Sequence, residues 1–156
     1  MFDAGWCMQL LPSADLVVLY GRMTSASFER FFEASLRSID EYDGERIGIV
    51  HDVRDPQMIE AHRRNRFGKA LKAREEQLAR TRAHVMITGS PLLRSSLKVM
   101  QWIAPPKHPH AVTSSVPEAC SFIARHVPSA DPGDLERKLE QLRLGIHNRA
   151  QGASRD

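Results

Sequence analysis

RIGIVHDV, Arg46 to Val53, sets Ile47, Ile49 and Val50 around a single glycine and then turns polar at His51 and Asp52. A short, nearly continuous apolar run of this kind predicts a strand buried on both faces, as in the middle of a parallel sheet. Working outward, Asp55-Pro56 is a cap and first-turn pair for a long helix expected from about Pro56 to Arg80. Upstream, TSASFERFFEASLRSIDEYDG spaces Phe28, Phe31, Phe32, Leu36 and Ile39 as one helical face. Thr24 or Ser25 can cap that helix and Gly44 can end it.

Further out, WCMQLL (6–11) and LVVLYGRM (16–23) flank Pro12-Ser13-Ala14-Asp15 and read as an antiparallel hairpin. RAHVMITG (82–89) reads as another inner strand. Ser90-Pro91 then opens a helix that places Met100 and Trp102 in the core and stops before Pro105-Pro106. HPHAVTSS (108–115) is the last strand. Ser115-Val-Pro-Glu118 resembles a capping box for a helix carrying Ala119, Phe122, Ile123 and Val127. Asp131-Pro132 begins a final helix with Leu135, Leu139, Leu142 and Ile146 in a stripe. The order β-β-α-β-α-β-α-β-α-α predicts an α/β fold: one mixed, mostly parallel sheet with an antiparallel N-terminal strand and flanking helices.

Composition narrows the function classes. A chain of 156 residues, 42% hydrophobic and 26% charged, suits one folded core. Its apolar runs are too short to span a bilayer, and its N-terminus is acidic without a leader core, so a cytoplasmic protein is expected. Cys7 and Cys120 sit among apolar neighbours and are expected as reduced, buried thiols. No zinc spacing or phosphate-cradling loop occurs, and no metal or cofactor is expected.

LVVLYGRMT, IGIVHDV, AHVMITG and HAVTSSVPEACSFIARHV together resemble the STAS domain, within it the SpoIIAA-like group. The resemblance covers about residues 5–127. It implies a STAS/SpoIIAA-like domain over 1–130, followed by a C-terminal helix at 131–148 that packs on the domain or dimerises, and a flexible tail at 149–156. Best-known members are anti-sigma-factor antagonists switched by a phosphorylated serine after the central strand. The matching zone here, Asp55-Pro56-Gln57-Met58-Ile59-Glu60, has no serine or threonine, and neither occurs between Ser38 and Thr81. The resemblance thus implies a regulatory, protein-binding module without that phosphate switch, with Asp52 and Asp55 at the switch-loop position.

Asp52 and Asp55 otherwise read as a strand end and a helix cap. His51 and Asp52 are adjacent, so on a continuing strand they face opposite ways. His108-Pro109-His110 lacks an obvious third metal ligand. The most distinctive feature is charge. Overall the chain is +3, yet residues 61–82 hold eight bases against two acids, Glu75 and Glu76. Arg63, Arg64, Arg66, Lys69, Lys72 and Arg74 form the candidate binding stripe, with Arg63, Arg66 and Lys69 three residues apart. Such a stripe can meet an acidic protein, anionic lipid head groups or nucleic-acid phosphates, or remain a solvated face. A small enzyme using Asp52 with a distant histidine stays as a further alternative.

Overall fold

The computed structural model describes residues 2–3, 5–10, 15–20, 23–42, 48–54, 61–95 and 106–152. Six strands run through them: β1 (Phe2–Asp3), β2 (Trp6–Leu10), β3 (Asp15–Tyr20), β4 (Gly48–Asp52), β5 (Ala83–Ile87) and β6 (His110–Thr113). They form one sheet in the order β1-β2-β3-β4-β5-β6. The β1–β2 and β2–β3 ladders are antiparallel, and the β3–β4, β4–β5 and β5–β6 ladders are parallel. The expected mixed, mostly parallel sheet is therefore present, with β1 as an added edge.

The described residues also form six helical segments: α1 (Ser25–Glu41), α2 (Ala61–Lys72), α3 (Glu75–Leu78), α4 (described over 91–95), α5 (Val116–His126) and α6 (Pro132–Gly152). Parallel strands that advance in one direction through right-handed crossovers keep their crossover helices on one face. Accordingly α1 and α2 share a cluster in which Trp6 and Met8 of β2 meet Phe28, Phe31 and Phe32, with Phe67 packed against it. Trp6 and Phe31 meet edge to face at 5.6 Å, and the Trp6 indole donates to the Ser27 carbonyl at 3.1 Å. The Thr24 hydroxyl caps α1 by accepting from the Ser27 amide. Each buried ring here stabilises the fold by roughly 1.5–3 kcal/mol.

The opposite face is closed by α5 and α6. Cys7, Val50, Val85 and Ile87 from the sheet join Ala119, Cys120 and Ile123 of α5 and Leu135, Leu139, Leu142 and Ile146 of α6 in one core. Cys7 and Cys120 are both buried and free. The Ser115 hydroxyl accepts from the Glu118 amide to cap α5, and the Asp131 carboxylate accepts from the Asp134 amide to cap α6. Among the described residues no helix is long and apolar enough to cross a membrane.

Two expectations change. The single helix to Arg80 is split into α2 and α3. The Arg74 amide bonds to the Leu71 carbonyl three residues back, a tightening that ends α2. The last helix continues to Gly152, beyond the 148 expected, because Asn148, Arg149, Ala150 and Gln151 contain nothing to stop it. Of the two roles expected for it, this helix packs on the domain, where its leucines join the core of the sheet. The positions of Gly44, Asp55, Pro56, Met100 and Trp102 lie outside the described residues.

Candidate functional site

At the carboxyl end of β4, Asp52 is fully buried on the α5–α6 face. Strand alternation puts it on the same side as Val50 and on the other side from His51. Burying a carboxylate is costly unless its oxygens are satisfied. Arg54, two residues on, turns back over it: its amide donates to Oδ1 at 3.1 Å, Nε reaches both oxygens at 3.0 Å, and Nη2 reaches Oδ2 at 2.6 Å. From α6, Arg143 Nη1 approaches both oxygens at 3.5 Å, while Glu140 accepts from Arg54 Nη2 at 3.1 Å. The Asp52 hydrogen bonds, chiefly, push the Arg54 guanidinium above its usual pKa against the cost of burial. The result is a charge network that ties α6 to the end of the central strand.

The neighbouring strand ends are polar but inwardly satisfied. Thr88 is fully buried, and its hydroxyl accepts from the Ser90 amide at 3.2 Å. Ser90 accepts from the Leu93 amide, which makes it the expected cap of α4. Thr113 both accepts from the Ser115 amide and donates to the Ser115 carbonyl.

The crossover face carries a group that reading by spacing does not reveal. His51 Nδ1 and His84 Nε2 are 3.2 Å apart, with ring centroids at 4.7 Å. His84 stands opposite His110 in the β5–β6 register, and its ring lies 6.1 Å from that of His108. Burial lowers the pKa of His51 to about 4. Burial first, and then the charges of His51, His108 and His110, holds His84 well below the ordinary value. His108 is lowered too, by burial and then by His110. Its Nε2 is buried and has no hydrogen-bond partner among the described residues. Even so, no set of three or more His, Cys, Asp or Glu among the described residues is arranged to hold a metal ion. Asp52 shares no face with His51 or His84, so these three do not form an acid–base dyad.

The basic helix is only partly a free surface. Arg63 sits over the Phe28 ring at 5.3 Å, and Arg66 over Phe32 at 4.2 Å while pairing with Glu29 at 2.7 Å. Arg74 grips both oxygens of Asp40 at 2.7 and 2.8 Å and donates to the Ala70 carbonyl. These arginines fasten α2 and its extension to α1. Lys69 and Lys72 remain exposed. Arg64 lies within α2 and its side chain is not described; Asp55 lies outside the described residues. Between α1, β2, β4 and α3 there is an apolar recess of about 80 Å³ lined by Leu10, Ile39, Ile49 and Leu78 among others, little more than room for a few waters.

Comparisons of this chain with protein-family models, curated proteins and solved structures found no match.

Proposed function

We propose that this chain is a non-catalytic, STAS-like regulatory module that works by binding a protein partner, without a phosphoserine switch. The observation that carries the reading is the saturation of Asp52. Open α/β sheets place their chemistry at the carboxyl ends of strands, most often where the strand order reverses. Among the described strands the order never reverses, and the buried acid at that end is held by Arg54 and Arg143 as a structural tie. The hairpin followed by alternating helices and strands supports the resemblance.

Among the described side chains of the basic helix, Lys69 and Lys72 are exposed and could meet an acidic partner. The test is retention of proteins from native lysate, after nuclease treatment, by the intact chain and by the K69E/K72E variant. A specific protein retained by the first and lost by the folded second supports the module and its surface. Retention of no protein removes the module reading; equal retention by both removes only the surface.

The same lysines support a second reading, contact with anionic lipid head groups or nucleic-acid phosphates. That binding would weaken steeply with added salt. Salt-insensitive binding to phosphatidylserine vesicles and to duplex DNA, or none, excludes it.

A further inference from the structure

Two bases that fasten α2 to α1 already hold carboxylates. Arg66 lies over the Phe32 ring at 4.2 Å and donates through Nη1 to Glu29 at 2.7 Å. Just past the end of α2, Arg74 grips the two oxygens of Asp40 through Nε and Nη2, and its Nη1 donates to the Ala70 carbonyl. Hydrogen bonding to Arg74, chiefly, holds the Asp40 carboxyl below its usual pKa. A guanidinium backed by a ring and a bidentate fork are both geometries in which arginine recognises a carboxylate.

Both acids belong to the chain itself, and both lie at the surface: the Glu29 and Asp40 side chains are 41% and 45% exposed. Exposed pairs of this kind hold weakly, so a carboxylate from outside can take the place of either acid. The Phe32 ring under Arg66 and the Ala70 carbonyl beside Arg74 do not depend on those acids. They keep the two guanidinium groups in position through such an exchange. Lys69 and Lys72 follow Arg66 at intervals of three residues and are exposed, which continues the basic row. Glu29, bound to Arg66, stands about one helical turn from Lys69 and opposes any acid that approaches it.

We propose that Glu29 and Asp40 are internal stand-ins for an acidic segment of a protein partner. They occupy Arg66 and Arg74, and the partner binds by displacing them and reaching Lys69 and Lys72 in the same contact. The displacement rests on the partner-binding reading and adds to it a self-blocking contact and the chemical class of the segment. Carboxylates are favoured over phosphates because the groups now held are carboxylates.

The test is binding of poly-L-glutamate to the full chain at low salt, with E29Q/D40N compared against E33Q/E41Q. Each variant loses two acids of α1, so both gain the same net charge. Glu33 and Glu41 are exposed and pair with no base among the described residues. E29Q/D40N is expected to bind about five-fold more tightly than E33Q/E41Q, since two exposed ion pairs no longer compete. E29Q against E33Q repeats the comparison with one exposed acid removed, and should show a smaller gain of the same sign. Equal affinities overturn the self-blocking contact and leave the partner-binding reading standing. Absence of binding by every chain overturns it too, while retention from lysate decides the partner-binding reading separately. A gain toward duplex DNA without one toward poly-L-glutamate overturns the acidic protein segment in favour of a phosphate polymer.

Discussion

Arg143 and Asp52 are 91 residues apart in sequence, yet the guanidinium of the first lies 3.5 Å from both carboxylate oxygens of the second. Arg54 makes the closer contacts to the same acid, at 2.6 and 3.0 Å. The two arginines should therefore be unequal. Arg54→Ala leaves a buried carboxylate with its weaker partner and should cost about 3–5 kcal/mol. Arg143→Ala should cost about 1 kcal/mol. Urea unfolding of both variants measures this, and equal losses would refute the asymmetry.

Acid should weaken the fold. Unfolded, His51 takes up its proton near 6.5; folded, it resists down to about 4. Between those values the unfolded chain binds more protons, so stability is full above pH 6.5 and declines as pH falls toward 4. His84 and His108 shift in the same direction and add to the loss. His51 alone contributes on the order of 3 kcal/mol. Unfolding midpoints at a series of pH values will show the slope, and a flat profile through this window would contradict the burial of neutral imidazoles.

Charge reversal should separate two kinds of base on α2. Arg66→Glu loses the stack on Phe32 and sets a carboxylate against Glu29, for about 1 kcal/mol and a melting temperature lower by a few degrees. Lys69→Glu, on an exposed side chain, should leave the melting temperature within a degree or so. Thermal unfolding by circular dichroism distinguishes them, and equal effects would mean that Arg66 is not anchored to α1.

Removing α6 should unfold the chain. Leu139 is fully buried and shares its core with Val50, Val85 and Ile87. Leu139→Ala should cost about 2–5 kcal/mol. A chain ending at Ala130 should lack cooperative unfolding, since Leu135, Leu139, Leu142 and Ile146 would all be missing from the core. A sharp melting transition in the shortened chain would show that α6 is an appendage.

Elements governed by neighbours in sequence were legible. Thr24, Ser90, Ser115 and Asp131 cap helices because capping is decided within three residues. The run Ile49-Val50 marked a strand for a similarly local reason. The two-residue strand β1 carried no periodicity to detect. The candidate sites were harder, because distant partners decide them. Helical spacing aligned Arg63, Arg66 and Lys69, but Glu29, Asp40 and the phenylalanines of α1 decided which bases engage α1. His51 and His84 meet only through the β4–β5 register, and the Asp52 network needed α6 to be placed on the sheet.

The strictly sequential strand order also bears on synthesis. Each strand pairs with the one made before it, so the sheet can extend as the chain emerges from the ribosome. Its two faces do not mature together. Trp6 and Met8 meet their cover as soon as α1 has appeared, whereas Cys7 and Val50 wait for α5 and α6. For most of translation one side of the nascent sheet is therefore bare, which makes the interval before Leu135–Ile146 emerges the period of greatest need for a chaperone.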